Sequence, residues 1–198
     1  RAPVPVVLHY DHGLTFENSM LALKYGFTSL MYDCSTCAYE ENAARVAALA
    51  EVAHAFGASV EGELGHVGNA EGGAEEEAPH DPAAFYTDPA QAADYIARTR
   101  ADALAIAVGT AHGAYKLPPK LDFDRITEIA AAIPTALVLH GGSGLTDADF
   151  RRAIACGISK VNIFTDINNA GVLGMQMGLA AGKRSVTDLI PYQVRAIR

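Results

Sequence analysis

No stretch of this 198-residue chain concentrates lysine and arginine. Acidic side chains outnumber basic ones 23 to 15, and the formal net charge is −8. That shortage argues against a nucleic-acid or anionic-membrane partner, since both are held through clustered positive charge. No apolar run approaches the ~20 residues of a membrane-spanning helix, and no segment reads as a secretory signal. Cysteine is scarce, with three residues. Cys34 and Cys37 form one Cys-x-x-Cys pair with no second pair and no thioredoxin-like context. They read as two thiols in a loop after a strand, not as a redox dithiol or half a zinc site. Cys156 lies on an apolar helix face and reads as core. Three free thiols fit a reducing cytoplasm, the expected location. What is present is a chain half hydrophobic, long enough for one domain with a sizeable core. An anionic substrate would need local positive charge from a metal, a lysine or helix N-termini.

Apolar, β-branched runs of strand length alternate with stretches of helical periodicity. The strands are expected at 4–8, 28–32, 59–63, 103–108, 135–139 and 160–163. The helices are expected at 16–25, 39–56, 89–99, 123–132, 147–155 and 166–181, several closed by glycine (Gly26, Gly57, Gly157). Repeated βα units predict a parallel sheet with right-handed crossovers. Six units are visible, where a closed (β/α)8 barrel needs eight. The expectation is a barrel-type domain, residues 1–198, cut at both ends, whose first strand exposes an unpaired edge. A long loop at 65–87 contains Glu71 and the acidic run Glu75, Glu76 and Glu77. Loops of this length in compact domains are commonly functional or disordered.

Three histidines fall at strand ends: His12 after Asp11, His112 before Gly113, and His140 before Gly141. In a parallel α/β sheet these ends converge on one rim, where sites are built. One such histidine is ordinarily a hydrogen-bonded structural residue; three at one level point to a metal. Zinc with three protein ligands and an open position is catalytic rather than structural. His9 is placed to support Asp11. The turn from Gly141 through Gly142 and Ser143 to Gly144 can present amides to a phosphate, and Lys116 can add charge. Asn162 and Thr165 follow the last strand, where Thr165 reads equally well as a helix N-cap. Lys160 reads as structural.

Five segments carry a family resemblance: Leu-His-Tyr-Asp-His-Gly (8–13), Glu-Gly-Glu-Leu-Gly (61–65), Gly-Thr-Ala-His-Gly-Ala-Tyr-Lys (109–116), Val-Leu-His-Gly-Gly-Ser-Gly (138–144) and Lys-Val-Asn-Ile-Phe-Thr-Asp (160–166). In this order the chain resembles the class II, zinc-dependent ketose-bisphosphate aldolases of the fructose and tagatose type. The resemblance implies a (β/α)8 TIM barrel, of which two N-terminal units and a C-terminal helix lie outside the chain. It implies zinc on His12, His112 and His140, and a second cation near Asp33 and Glu63. Asp11 matches the acid acting at the C4 hydroxyl, and Glu71 the loop glutamate that moves the substrate proton. Gly113, Lys116, Gly141, Ser143 and Thr165 match phosphate contacts, and Asn162 a contact to the dihydroxyacetone part. The partner implied is a sugar phosphate, and the assembly a homodimer or homotetramer.

The expected reaction is reversible aldol cleavage of a phosphorylated ketose to dihydroxyacetone phosphate and an aldehyde. The alternatives are the aldolase of inositol catabolism, acting on a phosphorylated deoxy-keto acid, and a non-catalytic companion subunit on the same barrel. The chain departs from the family pattern at Phe164, where a small or polar residue is common, at Asn69 and Ala70, and at Cys34. It offers no evident match for the C-terminal arginine that grips the far phosphate in the fructose branch.

Overall fold

A computed structural model describes residues 3–67, 85–113 and 119–198. Six strands and seven helices are found among them. The strands are β1 (His9–Gly13), β2 (Ser29–Tyr32), β3 (Ser59–Leu64), β4 (Ala103–Ile106), β5 (Ala136–Leu139) and β6 (Ile158–Val161). They form one sheet in sequence order, every neighbouring pair parallel. The helices are α1 (Phe16–Lys24), α2 (Tyr39–Ala55), α3 (Pro89–Thr99), α4 (Phe123–Ala132), α5 (Asp147–Cys156), α6 (Thr165–Ala180) and α7 (Val186–Ile197). Successive helices from α1 to α5 pack side by side, and α6 packs against α7. The sheet curls into a half-barrel: Lys160 on β6 brings its Nζ to 3.4 Å from His9 Nε2 on β1, across the concave face.

Local chemistry sets these elements. Thr15, Asp88, Asp122 and Ser185 each accept an amide proton at a helix start, and Thr146 with Asp149 closes a capping box at α5. Such caps satisfy amides that the helix itself leaves unpaired. The core lies between sheet and helices, where Leu30, Leu104, Ile106, Leu137 and Leu139 meet Val46, Leu49, Ile126 and Ile129. One buried polar link crosses it. Tyr95 on α3 donates to Asn42 Oδ1 at 2.8 Å, and Asn42 on α2 donates to the Glu63 carbonyl at 2.9 Å. The link fixes the inner end of β3 against its two covering helices.

The strand boundaries differ from expectation most at the sheet's two edges, and β4 also stops at Ile106, short of 108. Residues 4–8 are not a strand: β1 begins at His9, where Ser29 supplies a partner. Val4, Val6, Val7 and Leu8 stand 54–76% exposed. They lie at the edge of the sheet, with no pairing strand beyond among the described residues, so apolar content alone does not extend them. β6 likewise ends at Val161, and Ile163 belongs to the loop beyond it. The sheet stays open. β1 and β6 are its two edges and do not pair.

Candidate metal centre

The shift of β1 places Asp11 and His12 inside the strand, not after it. The β1–β2 register slips between Tyr10 and Gly13, and His12 takes a left-handed φ of 49°. Such a conformation costs a non-glycine residue about 1–3 kcal/mol and persists where the surroundings enforce it. A Cβ at Gly13 would stand 2.7 Å from the Met31 carbonyl oxygen, so the bulge needs glycine beside the strained histidine.

From this bulge the His12 ring meets the two others. Ring centroids lie 4.9 Å apart for His12 and His112, 4.8 Å for His12 and His140, and 5.5 Å for His112 and His140. One nitrogen from each falls within 4.8 Å of the others. Carboxylates orient two of the rings. His12 Nδ1 lies 2.7 Å from Asp33 Oδ2, and Asp33 is itself held by the Ser35 amide and hydroxyl. His140 Nε2 lies 2.8 Å from Glu61 Oε1. The buried His140 Nδ1 and Glu63 Oε2, 3.5 Å apart, have no hydrogen-bond partner. Orphaned buried polar atoms are costly, and a cation between imidazole nitrogens and a carboxylate would satisfy them. Three imidazoles with nearby carboxylates suit zinc, so the residues present fit the metal implied by the sequence.

The electrostatics run the same way. Burial, reinforced by His12 and His140, pulls the His112 pKa down to about 4. Its ring is therefore neutral at pH 7, the form that binds metal. The hydrogen bond to Asp33 raises His12, against the pull of burial. Burial works against ionisation of Asp33, yet His12 and Ser35 hold it well below the carboxylate range. Burial, with Asp33 adding, pushes Glu63 up to about 7. Burial also disfavours an ionised Glu61, but His140 and Lys160 together outweigh it and lower its pKa. Asp11 is partly desolvated at the rim, yet His9, His12, His140 and Lys160 hold it at about 2. Its carboxylate is therefore ionised at neutral pH, with His9 Nε2 3.5 Å away and the Asn162 amide donating at 3.3 Å.

Two cavities of about 290 Å³ flank the histidines. One is lined by His12, His112, Asp33, Ser35, Thr36, Glu63, His66 and Val67, and so holds the acids expected near a second cation. The other is lined by Asp11, His12, His112, Gly113, Gly141, Ser143, Asn162, Phe164 and Thr165. Every expected phosphate and ketose contact within the described residues lines this second cavity. Glu71 and Lys116 lie outside the described residues, as do Asn69, Ala70 and the acidic run at 75–77.

The glycine-rich turn is not a wholly open nest. The Gly142 amide donates to the Asn162 carbonyl and the Gly144 amide to Asp166 Oδ2, while Ser143 Oγ accepts from the Asp166 amide. Thr165 is not an N-cap: Phe164 occupies that position without a side-chain bond, and α6 starts at Thr165. The Phe164 ring is 77% exposed on the cavity rim. Gly141 has φ 67°, and a Cβ there would lie 2.2 Å from the Ala111 carbonyl oxygen, the residue before His112. Gly141→Ala is therefore expected to cost about 2–4 kcal/mol through strain and backbone collision. Urea unfolding measures the loss, and a variant within 0.5 kcal/mol or so of wild type would show that the approach is not tight.

Glu61 and Lys160 escaped the sequence reading as members of the site. Glu61 shares parity with Glu63 on a strand buried on both faces. Two acids on one face of such a strand were the available signal, because buried carboxylates require partners. Lys160 Nζ supplies one, 2.6 Å from Glu61 Oε2.

A curled parallel sheet with three converging imidazoles and flanking carboxylates defines a partial βα-barrel with a histidine triad at its strand ends that could hold a metal ion. The chain belongs to the class II fructose-bisphosphate aldolase family, whose model matches residues 1–197. It is 40% identical over 181 residues to a probable fructose-bisphosphate aldolase of Bacillus subtilis (strain 168), covering 91% of this chain and 62% of that one. It is 37% identical over 205 residues to a sulfofructosephosphate aldolase of Alkalicoccus urumqiensis, covering 97% and 70%. The crystal structure of the YdjI aldolase from Escherichia coli K12 superposes with a TM-score of 0.84 at 34% identity, over all of this chain and 67% of that one. The chain thus spans 62–70% of the length of the curated relatives it matches.

Proposed function

We propose that this chain forms the metal-binding part of a zinc-dependent aldolase, a lyase that reversibly cleaves a phosphorylated ketose to dihydroxyacetone phosphate and an aldehyde. The observation that carries the reading is the convergence of His12, His112 and His140 beside an ionised Asp11. The six-stranded open sheet is then part of one (β/α)8 barrel domain, a reading supported by the apolar residues exposed beside β1. The protein would act in the cytoplasm as a homodimer or homotetramer.

His12, His112 and His140 would hold zinc, and Asp33 with Glu63 a second cation. Bound zinc supplies Lewis acidity toward the negative charge that develops on the oxygens of a three-carbon enediolate. Asp11 takes the proton of the C4 hydroxyl as the C3–C4 bond breaks, the aldehyde leaving with C4. The amide of Asn162 holds the Asp11 carboxylate in place. Glu71 then delivers a proton to C3, and runs in reverse for condensation. Gly113, Gly141, Ser143 and Thr165, with Lys116, receive the phosphate of the three-carbon half, and Asn162 its hydroxyl region.

The test is metal analysis of the intact protein with a cleavage assay over fructose and tagatose 1,6-bisphosphates, sulfofructose phosphate and a phosphorylated deoxy-keto acid. Stoichiometric zinc and release of dihydroxyacetone phosphate from a ketose bisphosphate are expected. Chelation should stop release, and added zinc should restore it. A protein that carries no metal and cleaves none of the panel would instead be a companion subunit.

A further inference from the structure

The concave face of the half-barrel carries a polar chain beneath the metal centre. It begins at His140, which is fully buried, and passes to Glu61, only 2% exposed. Glu61 uses both oxygens: Oε1 lies 2.8 Å from His140 Nε2, and Oε2 lies 2.6 Å from Lys160 Nζ. Lys160 Nζ also reaches 3.4 Å from His9 Nε2, and His9 lies 3.5 Å from Asp11. A metal-binding histidine commonly gives its second ring nitrogen to a carboxylate, which fixes tautomer and orientation. Here that arrangement extends across the curled sheet to the acid proposed for catalysis.

We propose that Glu61 and Lys160 are positioning residues. Glu61 selects the His140 tautomer with its proton on Nε2, leaving Nδ1 for an ion. Lys160 engages the other Glu61 oxygen and braces His9 beside Asp11, so that one part-buried ion pair serves both the metal ligand and the base. The role toward the metal rests on the zinc reading above; the tautomer does not.

The test compares two double variants of the intact protein. Each removes the pair as a unit, so neither leaves the Glu61 charge buried without its cation. E61L/K160M removes the acceptor for His140, whereas E61Q/K160M restores one through its amide oxygen. Zinc affinity is measured by competition with a chromophoric chelator. The His140 ring nitrogens are read by 15N NMR of the metal-free protein. E61L/K160M should bind zinc about 10–100-fold more weakly, the range for lost supporting contacts, and lose the Nε2–H signature. E61Q/K160M should recover most of both. A purely packing role predicts the opposite, with leucine as good as glutamine or better. A folded E61L/K160M protein with wild-type zinc affinity and wild-type His140 shifts would overturn the proposal. If leucine prevents folding, E61D keeps the charge but withdraws the carboxylate. It should then show both losses, and wild-type values for it overturn the proposal equally. If the wild type takes no zinc, the aldolase reading fails, while the NMR comparison still decides the role of Glu61.

Discussion

Replacing His112 by alanine should strip zinc from the protein and reduce ketose cleavage by at least ~10³-fold, the scale of several kcal/mol of lost charge stabilisation. His112 is the cleanest of the three to remove. His12 anchors Asp33 and His140 anchors Glu61, so losing either also frees a buried or half-buried acid. Burial holds the half-buried His112 ring neutral, and no carboxylate is hydrogen-bonded to it among the described residues. The fold should survive, with its far-UV dichroism unchanged. Zinc per chain and turnover should fall together. A His112→Ala protein that keeps one zinc and near-normal turnover would remove His112 from the ligand set.

Asp11→Asn should separate metal binding from chemistry. The substitution preserves size and can still meet Asn162, but it cannot accept a proton at neutral pH. Zinc content should stay at wild-type level while turnover falls about 10²–10⁴-fold, the usual range for a lost general acid or base. The Michaelis constant should move little by comparison, since the proposed role of Asp11 is toward a proton and not a phosphate. Near-normal turnover in a zinc-loaded variant would show that another group takes the C4 proton.

The sheet order and six of the seven helices were legible because alternating βα units leave few topologies, and because Gly26, Gly57 and Gly157 mark helix ends. The first strand was misplaced for a physical reason. Residues 4–8 have the composition of a strand, but a strand exists by pairing, and the pairing begins at His9. That shift matters to the site, because it puts His12 on a bulge and gives it its strained φ. The convergence of the three histidines was readable because each sits at the same level of a repeating unit. Glu61 was signalled only as one of two acids on a buried strand, since its partners His140 and Lys160 come from the end of β5 and from β6, far off in sequence. Thr165 shows the converse. A hydroxyl residue before a helical run suggests a cap, but the backbone starts the helix one residue early and leaves the hydroxyl on the cavity wall.

The three histidines come from the first strand and from the segments after the fourth and fifth, so the site is assembled across most of the chain. During synthesis His12 emerges long before His140, and no two neighbouring units contain a complete ligand set. Capture of the proposed metal would then be a late event in folding, made by a scaffold whose sheet already stands. This contrasts with short metal-nucleated domains, which are unfolded without their ion. The expected sign is an apoprotein that keeps its sheet and takes up zinc faster than it folds.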